Sequence, residues 1–186
     1  MDLAKFSISK PTLRDIPAMR NLILPEVQRG VILDRTEDEM AGAIRSYSVV
    51  RENIGNLSLD CHDFASQNLA MTEKNTDSAL KENAPIIAFA ALQILSPTLA
   101  EIRSLIVGES YRRLGIATAL ISRLIDEGKA LNLKEILTLT YQKEVFAKIG
   151  FVEIAKDSLP NQKIWADCIK CKKFPICDEI ALIKTL

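Results

Sequence analysis

The sequence has little of several features that mark specialised classes of protein. Its 186 residues include four Cys and one His, too few thiols for a scaffold that depends on disulfides, so a reducing cytoplasm is the expected location. The 24 basic and 24 acidic side chains cancel in formal charge, whereas proteins that bind nucleic acid generally do so through clustered Lys and Arg. We therefore expect no nucleic acid among its partners.

Long apolar runs are also missing. The best candidate, residues 85–95, is interrupted by Gln93 and falls short of the roughly 18 residues that span a membrane. The first residues lack the charged and then apolar pattern of a secretory signal, and no repeat or low-complexity tract occurs. We expect no membrane partner. The length and the 48% of apolar residues suit a single domain, residues 1–186, with a sizeable core.

Hydrophobic periodicity and turn residues predict alternating strands and helices. Strands are predicted at residues 5–10, 46–50, 86–95, 100–107, 134–141, 151–155 and 179–184, and helices at residues 12–24, 36–45, 115–131 and 143–149. Thr12 with Asp15, and Thr36 with Glu39, predict capping boxes at the first two helices, and Pro25 is expected to close or kink the first one. This order of elements predicts an α/β fold whose mixed sheet is flanked by helices.

Residues 51–84 differ from the rest of the chain. They contain a polar run and no sustained period, and a structureless stretch of that length is uncommon inside a compact domain. We interpret them as an insertion between two strands, with a partly helical portion at residues 61–71.

The most informative segment runs from a strand through a basic turn into a helix. A helix start offers unpaired N–H groups and the positive end of the helix dipole, which suit an anion. Gly115 and Ala117 are small enough for the backbone to approach that anion closely, while Arg112 and Arg113 add full positive charge. From these residues alone, a plain basic turn before a core helix remains an equal alternative.

Residues 112–117 resemble the Arg/Gln-x-x-Gly-x-Gly/Ala motif of the GNAT superfamily of N-acetyltransferases. The strand at residues 101–107, the helix after the motif and residues 146–151 match the same family in the same order. The resemblance implies a splayed, mostly antiparallel central sheet, acetyl-CoA as the acetyl donor, and the coenzyme A diphosphate on main-chain amides of residues 112–118. The coenzyme-binding residues that it implies are Leu105, Ile106, Val107, Arg112, Arg113, Leu114, Gly115, Ile116, Ala117, Thr118 and Phe146.

Two further segments are similar to amino-acid N-acetyltransferases of the N-acetylglutamate synthase type. Residues 30–36 resemble the family's Gly-x-Leu-x-x-Arg-Ser/Thr segment, and residues 159–165 resemble its Leu-Pro-x-x-(basic)-x-x-(aromatic) segment. The resemblance implies Arg35, Ser104 and Lys163 as substrate-binding residues, with Arg35 as a bidentate clamp on a carboxylate. It also implies that the acceptor is the α-amine of L-glutamate, as in arginine biosynthesis.

Acetyl transfer by direct attack needs a base for the amine and hydrogen-bond donors for the oxyanion. Glu101 is the candidate base, because its segment resembles the one that carries the base Glu in histone acetyltransferases of the superfamily. An exposed Glu at a strand end is the alternative. Many members carry a general-acid Tyr where this sequence has Phe146, so Tyr141, water or no acid at all would serve the leaving thiolate. Tyr141 is also compatible with simple strand packing.

Cys168, Cys171 and Cys177 lie close together in the C-terminal segment at residues 159–178. They could hold a structural zinc ion if Cys61 or His62 supplied a fourth ligand. Free thiols and a redox disulfide are the alternatives, and a solvated side chain is the simpler interpretation of His62.

Two other functions stay open at this stage. One is acetylation of a different amine, such as a protein N-terminus, another amino acid or a polyamine. The other is a non-catalytic regulatory module that binds acetyl-CoA. Arg35 favours an anionic acceptor over a polyamine, and the presence of both Glu101 and Arg35 favours an enzyme. An oligomer is compatible with the sequence.

Overall fold

The computed structural model describes residues 5–53 and 84–186. Within these ranges the strands are β1 (Phe6–Ser9), β2 (Tyr47–Glu52), β3 (Ile86–Ile94), β4 (Leu99–Val107), β5 (Glu135–Thr140), β6 (Val152–Glu153) and β7 (Ile180–Thr185). The α-helices are α1 (Ile16–Gln28), α2 (Glu37–Gly42), α3 (Ile116–Ala130), α4 (Lys143–Ala147) and α5 (Asn161–Ala166).

The seven described strands form one sheet in the order β1-β2-β3-β4-β5-β7-β6. Neighbouring strands are antiparallel except β4 and β5, which are parallel. The predicted α/β class, with a mixed and mostly antiparallel sheet flanked by helices, is confirmed.

Helices cover both faces of this sheet, because alternate side chains of β3 belong to two different cores. Phe89 packs in a cluster with Met19 of α1 and the side chains of α2. Ala90 belongs to the cluster on the opposite face, around Leu120 of α3. A strand that is buried on both faces has a nearly continuous apolar sequence, which explains the composition of β3.

Local sequence signals explain how the first two helices begin. The main-chain N–H of Thr36 donates to the Glu39 carboxylate at 2.9 Å, and the N–H of Glu39 donates to the Thr36 hydroxyl at 3.2 Å. This reciprocal pair is the predicted capping box. The N–H of Thr12 donates to the Asp15 carboxylate at 2.7 Å, and a short 3-10 turn at Leu13–Asp15 leads into α1.

Two elements in the N-terminal half differ from the sequence prediction. Helix α1 continues past Pro25 to Gln28, since Val27 packs on the core and Glu26 pairs with Arg29 and Arg112. Strand β2 extends into the predicted insertion, because Arg51 is buried and pairs with Asp15 at 2.6 Å.

Two further differences concern the C-terminal third. Strand β6 is only two residues long, and it pairs with β7. Helix α5, which the periodicity did not predict, begins directly after Pro160. The predicted helical portion at residues 61–71 lies outside the described residues.

A gap opens in the middle of the sheet where β4 and β5 separate. The two strands pair only from Leu99 to Glu101 on β4. Beyond that point the Thr138 hydroxyl donates to the Ile102 carbonyl at 2.9 Å, while β5 continues along β7 and β4 continues along β3. The separation leaves one edge of β4 facing the gap.

A β-bulge shapes the part of β4 that lines this gap. Phe89 of β3 is paired with Ile106, but Ala91 is paired with Arg103, so β4 carries one extra residue in between. Ser104 has a φ of +55°, a backbone conformation that residues other than glycine seldom adopt. A bulge interrupts the ladder between two strands, and this one lies where β4 lines the gap.

We expect Thr138→Val to lower the free energy of unfolding by about 1 kcal/mol, because it removes a buried hydrogen bond between the two separating strands. Chemical denaturation monitored by circular dichroism measures this change. Thr185→Val, at an exposed position near the end of β7, is the matched control and should change stability little. An equal loss in both variants would contradict a special contribution from the Thr138 hydroxyl.

Candidate active site

A cavity of about 1230 Å³ occupies the gap between β4 and β5. Its walls come from the loop before α2, from β4, the start of α3, β5 and the C-terminal segment. With the exception of Leu114, every residue predicted from the sequence to bind, catalyse or hold metal within the described ranges lines this cavity. Leu114 is 44% exposed and lies outside the cavity lining.

The N-terminus of α3 forms a concave main-chain surface at one end of the cavity. Arg113 and Gly115 both have positive φ, +64° and +76°. The Ala119 N–H donates to the Gly115 carbonyl, so the amides at the start of the helix have no intrahelical acceptor. Alternating left-handed residues ahead of a helix dipole create a binding site for an anion.

The two arginines of this turn have different roles. Arg112 donates to the Glu26 carboxylate at 2.9 Å and to the Val107 carbonyl at 3.3 Å, which ties the turn to α1. The exposed guanidinium of Arg113 has no hydrogen-bond or ion-pair partner within residues 5–53 and 84–186. Arg113 therefore has more freedom than Arg112 to contact a bound phosphate.

The predicted coenzyme-binding strand presents different groups on its two faces. Leu105 and Val107 pack against the core that contains α3, whereas the buried side chain of Ile106 belongs to the core around α1. Phe146 is 1% exposed and meets Phe151 edge to face, with 5.2 Å between ring centroids. It contributes an apolar wall.

A buried ionic cluster lies in the cavity wall beside β4. One oxygen of Asp167 is 2.8 Å from Arg35, and the other is 3.0 Å from Arg103 and 2.8 Å from Lys163. Lys163 also contacts one oxygen of Glu101 at 2.6 Å. These five side chains are each at most 13% exposed. Three cations against two carboxylates leave an excess of one positive charge when Glu101 is ionised.

Three polar atoms of this cluster are buried without a hydrogen-bond partner among the described residues. They are the Nε of Arg35, the Nε of Arg103 and the second carboxylate oxygen of Glu101. Unsatisfied polar atoms are unfavourable in a protein interior. Their combination, two cationic donors and one acceptor, defines what a ligand at this place would have to offer.

The protonation equilibria of the cluster follow from burial and charge. Burial raises the pKa of Glu101 above its usual value, even though Lys163 favours the ionised form. Burial also acts against the carboxylate of Asp167, but Lys163 and Arg35 outweigh it and lower that pKa. For Lys163, burial is outweighed by Glu101 and Asp167, which raise its pKa. Asp167 therefore stays ionised, while Glu101 has the affinity for protons that a base needs.

Arg103 and Asp167 are members of the site that sequence reasoning missed. Two sequence spacings could have identified them. Arg103 lies two residues after Glu101 in a strand, so both side chains face the same side of the sheet. Asp167 follows Lys163 by four residues, a spacing that brings opposite charges together on a helix.

Tyr141 lines the cavity with its hydroxyl already engaged. The hydroxyl donates to Asp178 at 2.6 Å and accepts from Lys173 at 2.7 Å. Burial and the bond to Asp178 raise the pKa of Tyr141 to about 12. A phenol held this way is a weak proton donor, so the geometry does not favour the predicted acid role.

The three C-terminal cysteines, Cys168, Cys171 and Cys177, are free thiols that line the cavity. In the part of the chain that the structure describes, no group of three or more His, Cys, Asp or Glu side chains is arranged to hold a metal ion. The zinc hypothesis therefore has no support there. Cys61 and His62, the candidate fourth ligands, lie outside the described residues.

No helix within the described ranges combines the length and the apolar character needed to cross a membrane.

Comparison with known proteins gives consistent matches. The sequence model of the acetyltransferase (GNAT) family matches residues 39–153. An uncharacterised N-acetyltransferase from Chlorobaculum tepidum is 41% identical over 105 residues, which are 54% of this chain and 64% of that protein. An amino-acid acetyltransferase from Mycobacterium tuberculosis is 35% identical over 69 residues, 37% of this chain and 40% of that one. Each match spans less than two thirds of the relative's length.

The fold is also similar to that of solved structures. N-acetylglutamate synthase from Neisseria gonorrhoeae, solved with coenzyme A and N-acetyl-glutamate, superimposes with a TM-score of 0.72. The superposition covers 97% of this chain and 35% of the synthase chain, at 19% sequence identity. At that identity the likeness establishes a shared fold.

We expect Tyr141 to ionise near pH 12, with Asp178→Asn lowering its pKa toward the ordinary value of about 10. The reason is that burial and the hydrogen bond to Asp178 both favour the neutral phenol. The difference in ultraviolet absorbance between the wild-type chain and Tyr141→Phe isolates this titration. A midpoint near 10 in the wild-type chain would contradict the hydrogen-bonded arrangement and would restore Tyr141 as a general acid.

Proposed function

We propose that this chain, which belongs to the acetyltransferase (GNAT) family, transfers the acetyl group of acetyl-CoA to the α-amine of an amino acid, with L-glutamate as the acceptor that fits best. One observation carries the proposal: a buried cluster in which both hydrogen-bond donors and an acceptor lack partners. The cluster consists of Arg35, Arg103, Lys163, Asp167 and Glu101. It lies in the same cavity as the anion-binding start of α3.

The donor end of the cavity suits the coenzyme A diphosphate. Free amides after Gly115 and the unpaired guanidinium of Arg113 provide hydrogen bonds and charge. The exposed edge of β4 at Leu105 and Val107 provides main-chain groups that an extended pantetheine arm can meet in the way that an added strand does. The acetyl group would then lie near the bulge at Ser104.

The acceptor end suits an anionic amino acid. A carboxylate would satisfy the Nε donors of Arg35 and Arg103, and an ammonium would satisfy the free oxygen of Glu101. Glutamate, with two carboxylates and one ammonium, also balances the excess positive charge, whereas a polyamine would add to it. Because the three unpaired atoms are shielded from solvent, acceptor binding requires these side chains to turn toward the cavity.

The chemistry follows from the same residues. Glu101 accepts the proton of the amine, and its raised pKa makes it a more effective base than an exposed carboxylate. A main-chain N–H near Leu105 stabilises the oxyanion, and binding both reactants together removes much of the entropic barrier to direct attack. A thiol with a pKa of about 8.5 is an adequate leaving group without a general acid.

The names of similar proteins support this choice of acceptor. One relative is an amino-acid acetyltransferase, and one structural neighbour was solved with N-acetyl-glutamate. Our proposal accordingly includes amino-acid metabolism, with arginine biosynthesis in the cytoplasm, as the setting of the reaction. Acetylation of a protein N-terminus is the second candidate, because a ribosomal-protein-S18-alanine N-acetyltransferase from Escherichia coli shares the fold with a TM-score of 0.56.

Gly115→Ala should weaken coenzyme A binding by about fivefold or more, because alanine disfavours the left-handed turn by about 1–2 kcal/mol and displaces the amides that follow it. Isothermal titration calorimetry measures the effect. Gly42→Ala is the matched control, since its added methyl group enters open space within α2. It should leave coenzyme binding unchanged and stabilise the chain slightly. Equal coenzyme affinity in both variants would remove this turn from the binding site.

The acceptor assignment is tested by following thiol release from acetyl-CoA with a panel of glutamate, other amino acids, an N-terminal peptide and spermidine. We expect turnover with glutamate and none with spermidine. Arg35→Lys should raise the glutamate KM about tenfold or more and change the acetyl-CoA KM little, because lysine cannot reproduce the guanidinium contacts.

Arg51→Lys, in a buried ion pair outside the cavity, is the control for Arg35→Lys and should leave both KM values unchanged. Turnover with the peptide but with no amino acid would favour the second candidate function. Coenzyme binding without turnover of any amine would favour a regulatory module.

A further inference from the structure

We propose that Asp167 is the positioning residue of this site: it holds Arg35, Arg103 and Lys163 in one array in the cavity wall and prevents Lys163 from pairing with Glu101 alone. The inference rests on the proposed transfer to an amino acid and adds a residue that the sequence motifs did not contain. Its basis is the geometry of one carboxylate that is shared by three cations.

Asp167 joins parts of the chain that are far apart in sequence. Arg35 lies in the loop before α2, Arg103 in β4, and Lys163 in α5. The Asp167 carboxylate accepts hydrogen bonds from all three, at 2.8, 3.0 and 2.8 Å. Within the described residues it is the sole ion-pair partner of both arginines. Without this charge, two buried guanidinium groups and an ammonium would repel one another.

The same carboxylate divides the interactions of Lys163. The ammonium lies 2.6 Å from one Glu101 oxygen and 2.8 Å from one Asp167 oxygen, so its charge is shared. If Asp167 were neutral, Lys163 would interact with Glu101 alone. The ionised form of Glu101 would then be more stable, and a more stable carboxylate is a weaker base.

Other charged groups also act on Glu101, and the substitution leaves them in place. Arg103, on the same strand, favours the ionised form. Glu179, ahead of β7, is a nearby carboxylate with a raised pKa, and Cys168 is a neighbouring thiol that burial keeps neutral. Asp167 raises the pKa of Glu101, so removal of its charge lowers that pKa. The expected change in the Glu101 pKa on Asp167→Asn is therefore a decrease.

The test is Asp167→Asn, which removes the charge and keeps the shape. We expect the acceptor KM to rise about tenfold or more while the acetyl-CoA KM changes less than about twofold, since the arginines lose their common partner. We also expect the acid limb of the kcat profile to move to lower pH by about one unit. Glu101→Gln identifies that limb by abolishing it.

Asp15→Asn is the matched control, because Asp15 forms a buried ion pair with Arg51 outside the cavity. It should lower stability without changing either KM or the pH profile. A folded Asp167→Asn variant with an unchanged KM and an unchanged acid limb would overturn the proposal and leave Asp167 a structural residue. If Asp167→Asn does not fold, Asp167→Glu takes its place.

Asp167→Glu keeps the charge on a longer side chain. We expect it to raise the acceptor KM, because the array is displaced, and to leave the acid limb near its wild-type position. An unchanged acceptor KM in this variant would overturn the proposal.

Carbon-13 NMR titration of the Glu101 carboxyl, identified by its loss in Glu101→Gln, needs no turnover. A wild-type chain that acetylates no acceptor would refute the proposed function, while a Glu101 titration that is the same with and without the Asp167 charge would refute the role of Asp167.

Discussion

The separation of β4 from β5 is the constraint on which the rest of the structure depends. The strands share only the short pairing at Leu99–Glu101, while each is paired over a longer stretch along its other edge, β4 with β3 and β5 with β7. Main-chain groups at a strand edge inside a protein need partners. The hydroxyl of Thr138 satisfies one of them, the Ile102 carbonyl, and β4 beyond this point lines a cavity that is large enough for a ligand.

The gap also explains why charged groups can lie inside this protein. Transfer of an ion pair from water to the interior is costly, and a buried ionic cluster is weak evidence for stability. In this chain the carboxylate of Asp167 and three cations are packed at hydrogen-bonding distance, yet Glu101 keeps one oxygen unpaired. A cluster selected for stability alone would be expected to pair its charges completely. The incomplete pairing is consistent with a site whose missing partner is a ligand.

Features determined by neighbouring residues were predictable from the sequence, and features determined by distant ones were not. The capping box of Thr36, the turn at Gly115 and the period of α3 each depend on a few consecutive residues, so local rules identified them. The meeting of Arg35 with Asp167 joins residues 132 positions apart, which no local pattern encodes. Helix α5 is only six residues long, too short for periodicity to reveal. Its tertiary ion pairs hold it in place.

The position of Lys163 changes the roles that are expected of the charged residues in the site. The family resemblance suggested that Lys163 binds a substrate carboxylate, but its ammonium is occupied by two carboxylates of the chain itself. The unpaired cationic donors belong to Arg35 and Arg103. Recognition of an acceptor carboxylate would therefore fall to the arginines, whose planar guanidinium groups keep further donors after Asp167 has bound. Lys163 would act instead on Glu101, because its charge and that of Asp167 shift the pKa of this carboxyl in opposite directions.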